Sequence, residues 1–132
     1  MLELPIAWPR RIALILLAVA FVFAGSNHFV NPDFFVAIMP PYLPAHLELV
    51  YLSGVFEIAG GIGVLIPRIR SLAGWGLVVL LLAVFPANLH MALNPESFSD
   101  VSPGALYTRL PIQVLLIAWA YWATRPDAPA AQ

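Results

Sequence analysis

Apolar residues fill four windows of the chain, roughly residues 11–30, 47–66, 71–91 and 109–124, separated by prolines, turn formers and charges. Each is close to the ~20 mostly apolar residues that a helix needs to cross the ~30 Å hydrocarbon core of a bilayer. The pattern predicts an all-α fold, an antiparallel four-helix transmembrane bundle with irregular outer loops, as a single domain over residues 1–132. Pro67, with Arg68 and Arg70, leaves so short a connection between the second and third windows that those helices must be antiparallel neighbours. The other two connections are longer. Asn31-Pro32-Asp33 reads as a turn, and Pro40-Pro41-Tyr42-Leu43-Pro44 cannot continue a helix. Between them, residues 34–39 are too few to span and too apolar to float in water, which predicts an interfacial turn packed over the outer mouth as a lid. Residues 94–108, with Pro95, Pro103 and Gly104, read as a second irregular outer loop, and the Ala/Pro-rich tail from Pro126 as frayed.

Composition agrees with lipid as the solvent, since 61% of the residues are apolar and 10% charged, far from the balance of soluble domains. The first window, behind Arg10 and Arg11, has the length of a signal peptide, but three more apolar windows follow it, so a retained signal anchor is expected. All six basic residues are arginines, and Arg10, Arg11, Arg68, Arg70 and Arg125 fall on one side of a four-span chain. The positive-inside rule makes that side cytoplasmic, with both termini inside, in the cell (inner) membrane. The opposite loops hold Asp33, Glu48, Glu96 and Asp100. Trp119, Tyr121 and Trp122 near the inner face, and Tyr42, Tyr51 and Tyr107 near the outer one, suit interfacial aromatic belts. A net charge of −1 offers no basic stripe for nucleic acid, and the absence of cysteine rules out thiolate catalysis, disulfide exchange and thiolate metal ligands in this chain.

The candidate chemistry lies in polar residues within the apolar windows, because an ionisable group at the centre of a span costs about 2.5–3.5 kcal/mol on insertion scales. Glu57 sits about ten residues into the second window, roughly 15 Å deep. Ser53 and Gly61 lie one turn to either side, with Gly54 and Gly60 flanking, so the carboxylate faces a close helix contact. Its role is either a proton carrier or ligand group, or a hydrogen-bonded pin for helix packing. His28 ends the first window and faces either the interior or the headgroups. Asn88 and His90 follow Pro86, which frees a backbone carbonyl one turn earlier. They are about 200° apart on a regular helix, so one inward residue and one helix bridge are expected. Arg109 opens the fourth window with Pro111 in its first turn and Gln113 one turn deeper on the same face. Arg109 either snorkels to headgroups or turns inward, to pair with Glu57 or hold an anion. His28, Glu57, Asn88, His90, Arg109 and Gln113 thus form one candidate ligand-binding cluster, drawn from four helices and opening outward. The inner half is nearly free of polar groups, which argues against an ion path and for a one-sided pocket. The two intramembrane histidines lack i, i+4 pairing, so no metal motif is present, and no catalytic residue can be assigned.

The stretches Phe23-Ala24-Gly25-Ser26-Asn27-His28-Phe29, Pro40-Pro41-Tyr42-Leu43-Pro44, Leu52-Ser53-Gly54-Val55-Phe56-Glu57-Ile58-Ala59-Gly60-Gly61, Val84-Phe85-Pro86-Ala87-Asn88-Leu89-His90-Met91 and Arg109-Leu110-Pro111-Ile112-Gln113 resemble the DoxX-like family of small four-helix membrane proteins, over nearly the whole sequence. The resemblance implies the four-helix fold. Relatives in that family include subunits of thiosulfate:quinone oxidoreductase, a methylamine-utilisation maturation protein, membrane partners of redox enzymes, and distant assembly chaperones and cargo receptors, so a shared fold leaves the activity open. Two expectations follow. One is an accessory subunit of a membrane redox system that binds a quinone or similar lipid-soluble molecule, with any catalysis shared with a membrane-protein partner. The other is a non-catalytic assembly protein whose polar cluster accepts a residue from a client's transmembrane helix.

Overall fold

A computed structural model describes residues 7–98 and 102–126. The fold is all-helical: among the described residues there is no strand, and the elements run α1 (Trp8–Val30), α2 (Pro32–Ala37), α3 (His46–Gly63), α4 (Arg70–Leu93), a 3-10 turn (Pro95–Phe98) and α5 (Pro103–Thr124). Asp100 and the tail beyond Pro126, both expected at loop or frayed positions, lie outside the described residues.

Most boundaries follow local rules. Pro9 sits in the first turn of α1, where its missing N–H is no loss, so that helix starts at Trp8 rather than 11. Pro32 plays the same part in α2, and the expected turn at 34–39 is instead the end of a short helix and the bend after it. Helix α3 is entered through Ala45 in the left-handed region, at φ 51°. The largest departure is α5. It begins at Pro103 rather than 109, because the Ser102 side chain accepts a bond from the Ala105 N–H at 3.2 Å and caps the helix. The expected loop over 94–108 therefore shrinks, and Pro111 is an interior residue of the helix rather than a first-turn one.

Helix α1 packs on α3 and α5, and α4 packs on α5 and α3, closing a ring of contacts. Register shows that neighbours in this ring run in opposite directions. Gly25 and Ala18 of α1 meet Gly54 and Gly61 of α3, Gly60 and Gly63 of α3 meet Leu77 and Ala73 of α4, and Gly74 of α4 meets Thr124 of α5. At the end where α1 begins and α5 finishes, Arg10 donates to the Arg125 carbonyl, and Arg70 donates through Nε to the Val64 carbonyl at 2.7 Å. That end therefore gathers five of the six arginines. Above it lies the main core, built on Leu14, Leu17, Leu77, Leu81 and Ala120. Trp119 belongs here: it packs against this core and its indole N–H bonds the Ala13 carbonyl at 2.9 Å, so it ties α5 to α1 rather than serving as a surface anchor. A smaller cluster of Ile38, Met91 and Leu106 closes the opposite end under α2.

The outward faces of all four long helices are apolar. Phe23, Leu72, Val79 and Leu115 are among many large hydrophobics left more than half exposed. Among the described residues, α1 and α4 are the helices long and apolar enough to cross a membrane. Helices α3 and α5 carry Glu48, Glu57 and Arg109, which lower their hydropathy.

Candidate functional site

Small residues decide the geometry of the site. A side-chain carbon on Gly25 would lie 2.7 Å from the Gly54 carbonyl oxygen, and one on Gly54 would lie 2.9 Å from the Gly25 oxygen, so the α1 and α3 backbones touch here without side chains between them. One turn further along each helix stand His28 and Glu57. The close approach lets two short side chains meet, with His28 Nε2 2.7 Å from Glu57 Oε2. His28 is also fixed on its other sides. Its Nδ1 donates to the Val50 carbonyl at 2.9 Å, and its ring stacks on Phe35 of α2 with centroids 4.0 Å apart. Glu57 Oε2 is enclosed, and no aligned hydrogen bond ends on it among the described residues, so the imidazole contact is its principal polar neighbour.

The opposite wall is built by α4 and α5. Gln113 is buried, and its amide donates to the Leu81 carbonyl, next to the Leu82 carbonyl that Pro86 leaves without a helical donor. That bond fixes which end of the amide is nitrogen. Gln113 Oε1 must then face α4, where it accepts from Asn88 Nδ2 at 2.6 Å, and Asn88 Oδ1 in turn accepts from Arg109 Nε at 3.4 Å. The result is a chain of neutral amides with one polarity, ending on a guanidinium. Arg109 also lies over the Phe34 ring, its Cζ 6.0 Å from the centroid.

Between the two walls is a cavity of about 440 Å³, in the range of small-molecule sites. His28, Ser53, Glu57, Asn88, Arg109 and Gln113 supply its polar lining, Leu81, Val84, Ile112 and Leu116 its apolar walls, and Phe35, Ile38 and Met39 its cover. Five of the six residues expected to share one pocket are thus brought together. His90 is not among them. It turns to the end of α4, where its Nδ1 accepts from Asn94 Nδ2 at 3.1 Å and its ring meets Phe98 edge-on. The physical reason is the helical step: α4 continues through Pro86, so Asn88 and His90 stay on different faces. Arg109 does turn inward, but onto Asn88 and Phe34; the carboxylate of Glu57 is matched by His28 instead. Sequence reasoning left Ser53 and Phe35 out of the site. Ser53 could have been found from its i, i+4 spacing with Glu57, which puts both on one helix face, whereas nothing local to Phe35 shows that its ring will cover an imidazole.

The arrangement can do three things chemically: enclose an apolar body, offer donors from one side through Arg109, and hold a proton on the other between His28 and Glu57. Among the described residues there is no group of three metal-ligating side chains. The family described as a domain of unknown function (DUF8561) matches residues 17–124, and the chain belongs to that family. No curated protein and no solved structure matches it.

Proposed function

We propose that this DUF8561 member is a multi-pass membrane protein, an antiparallel four-helix transmembrane bundle with both termini cytoplasmic, and that its outer-half cavity binds a quinone or similar lipid-soluble small molecule as an accessory part of a membrane redox system. The membrane reading is supported by the apolar outer surface, by the five arginines gathered at one end, and by exposed aromatics near each end, with Trp8, Trp75 and Tyr121 at one and Tyr42 and Tyr107 at the other. The resemblance to DoxX-like proteins points the same way.

One observation carries the ligand reading: an apolar-walled cavity in which Arg109 of α5, Ser53 and Glu57 of α3 and His28 of α1 converge. A quinone has two oxygen functions across a flat apolar ring. Arg109 would donate to one oxygen, and Ser53 with the His28–Glu57 pair would meet the other, where a proton can be given or taken. The quinone supplies the electron chemistry; the residues of this chain bind it, orient it and hold the proton. The cavity's size favours a small molecule over a client helix, which would need a groove as long as the helix itself.

Native mass spectrometry of the detergent-purified chain with added decylubiquinone tests this. The wild type is expected to hold one quinone per chain and Glu57→Gln to lose most of it. A wild type that stays empty while carrying a protein partner would replace the ligand reading with assembly.

A further inference from the structure

The polar groups of the cavity can be counted as charges, and the count selects a ligand. A carbonyl oxygen only accepts hydrogen bonds, so His28 Nδ1, facing the Val50 oxygen, carries a hydrogen. Its Nε2 is 2.7 Å from Glu57 Oε2. Two groups that both lacked a proton would repel at that distance, so the pair carries one further proton, on one side or the other, although no aligned hydrogen bond joins the two atoms. The pair is neutral wherever that proton sits, as imidazolium with carboxylate or as imidazole with carboxylic acid.

Arg109 is then the cavity's uncompensated charge. Its Nε is bonded to the neutral Asn88, which leans on the neutral Gln113, and the Phe34 ring gives it only a quadrupole. Among the described residues no carboxylate is within ion-pair distance of it, Asp33 on the neighbouring α2, Glu48 on α3 and Glu96 after α4 included, and its terminal nitrogens have no hydrogen-bond partner there. Arg109 is half-buried and lines the cavity, where solvent screens a charge poorly. The Ser53 hydroxyl, on the opposite wall, is also without a partner among the described residues.

Resting on the small-molecule reading above, we infer that the cavity selects a lipophilic weak acid in its anionic form: an anionic oxygen on the terminal nitrogens of Arg109, an apolar body along Val84, Ile112 and Leu116, and any second oxygen function toward Ser53. A neutral carbonyl compound fits the same space but leaves the arginine's charge unmatched.

Two probe pairs test the inference on the full chain in detergent, by isothermal titration at neutral pH. The first pair is 2-hydroxy-1,4-naphthoquinone, ionised at that pH, against its neutral methyl ether; the second is 2-naphthoate against methyl 2-naphthoate, which contains no quinone. Wild type is expected to bind each anion at least about ten-fold tighter than its neutral partner, the difference between charge-assisted and neutral hydrogen bonds. Arg109→Gln should abolish that preference and Arg109→Lys keep part of it. Equal affinities within both pairs, or a preference unchanged in Arg109→Gln, would overturn the inference and leave the quinone reading standing. Binding of naphthoate without either naphthoquinone would uphold anion selection and remove the quinone; binding of no probe would end both. If Arg109→Gln does not fold, the wild-type ratios alone decide.

Discussion

Replacing Gly54 with valine is expected to destabilise the chain by about 3 kcal/mol, at the upper end of overpacking effects. The added carbon would start 2.9 Å from the Gly25 oxygen, the His28 Cβ and the Phe29 ring together, and two of those three atoms cannot rotate away. Relief requires α1 and α3 to separate, which also pulls His28 off Glu57. Gly76→Ala is the matched control: nothing lies within 4 Å of a side-chain carbon there, so alanine's better helix propensity should stabilise by about 0.5–1 kcal/mol. Denaturant midpoints followed by circular dichroism in detergent read both. Shifts of the same sign and size would mean that the α1–α3 contact is not the close one described.

The second large effect concerns the proton-holding pair. His28→Ala removes the donor to Val50, the stack on Phe35 and the partner of Glu57, and leaves a void where the ring was, for an expected loss of about 2–4 kcal/mol. Glu57→Ala should cost less, about 1 kcal/mol, because a neutral imidazole keeps its other two contacts. The double variant should then cost little more than His28→Ala alone, a coupling approaching the whole of the Glu57→Ala loss, about 1 kcal/mol, in a double-mutant cycle. Additive losses would mean that the two side chains do not share a proton, and the charge count behind anion selection would fall with them.

How much of this could be read from the chain depends on the range of the interactions involved. Apolar windows placed α1, α3 and α4 to within a few residues, since burial periodicity and helix length are local properties. The start of α5 was hidden. Pro95, Pro103 and Gly104 read together as a loop, although Pro103 sits in the first turn of the helix that Ser102 caps, and that start signal is the weaker one in sequence. Asn31-Pro32 misled in the same manner, because a proline that ends one helix can open another. Within the site, the inward direction of Glu57 was legible from the glycines around it, and Gln113 from its depth in an apolar window. Their partners were not. Whether Glu57 meets His28 or Arg109 depends on how far α1 slides along α3, and that is fixed by the Gly25–Gly54 contact between residues far apart in sequence. His90 shows the converse: its chemistry suggested the site, and one helical step from Asn88 took it elsewhere.

All that is proposed for the cavity depends on the two ends of the bundle facing opposite sides of a membrane, and the absence of native cysteine makes this directly measurable. Single cysteines at Asp33, beside the cavity's cover, and at Ser71, at the arginine end, would be exposed to a membrane-impermeant maleimide in intact cells of a bacterial host whose outer membrane has been permeabilised. With that orientation, Asp33→Cys is labelled at once and Ser71→Cys only after the inner membrane is broken. Labelling of both before lysis, or of Ser71→Cys alone, would contradict it.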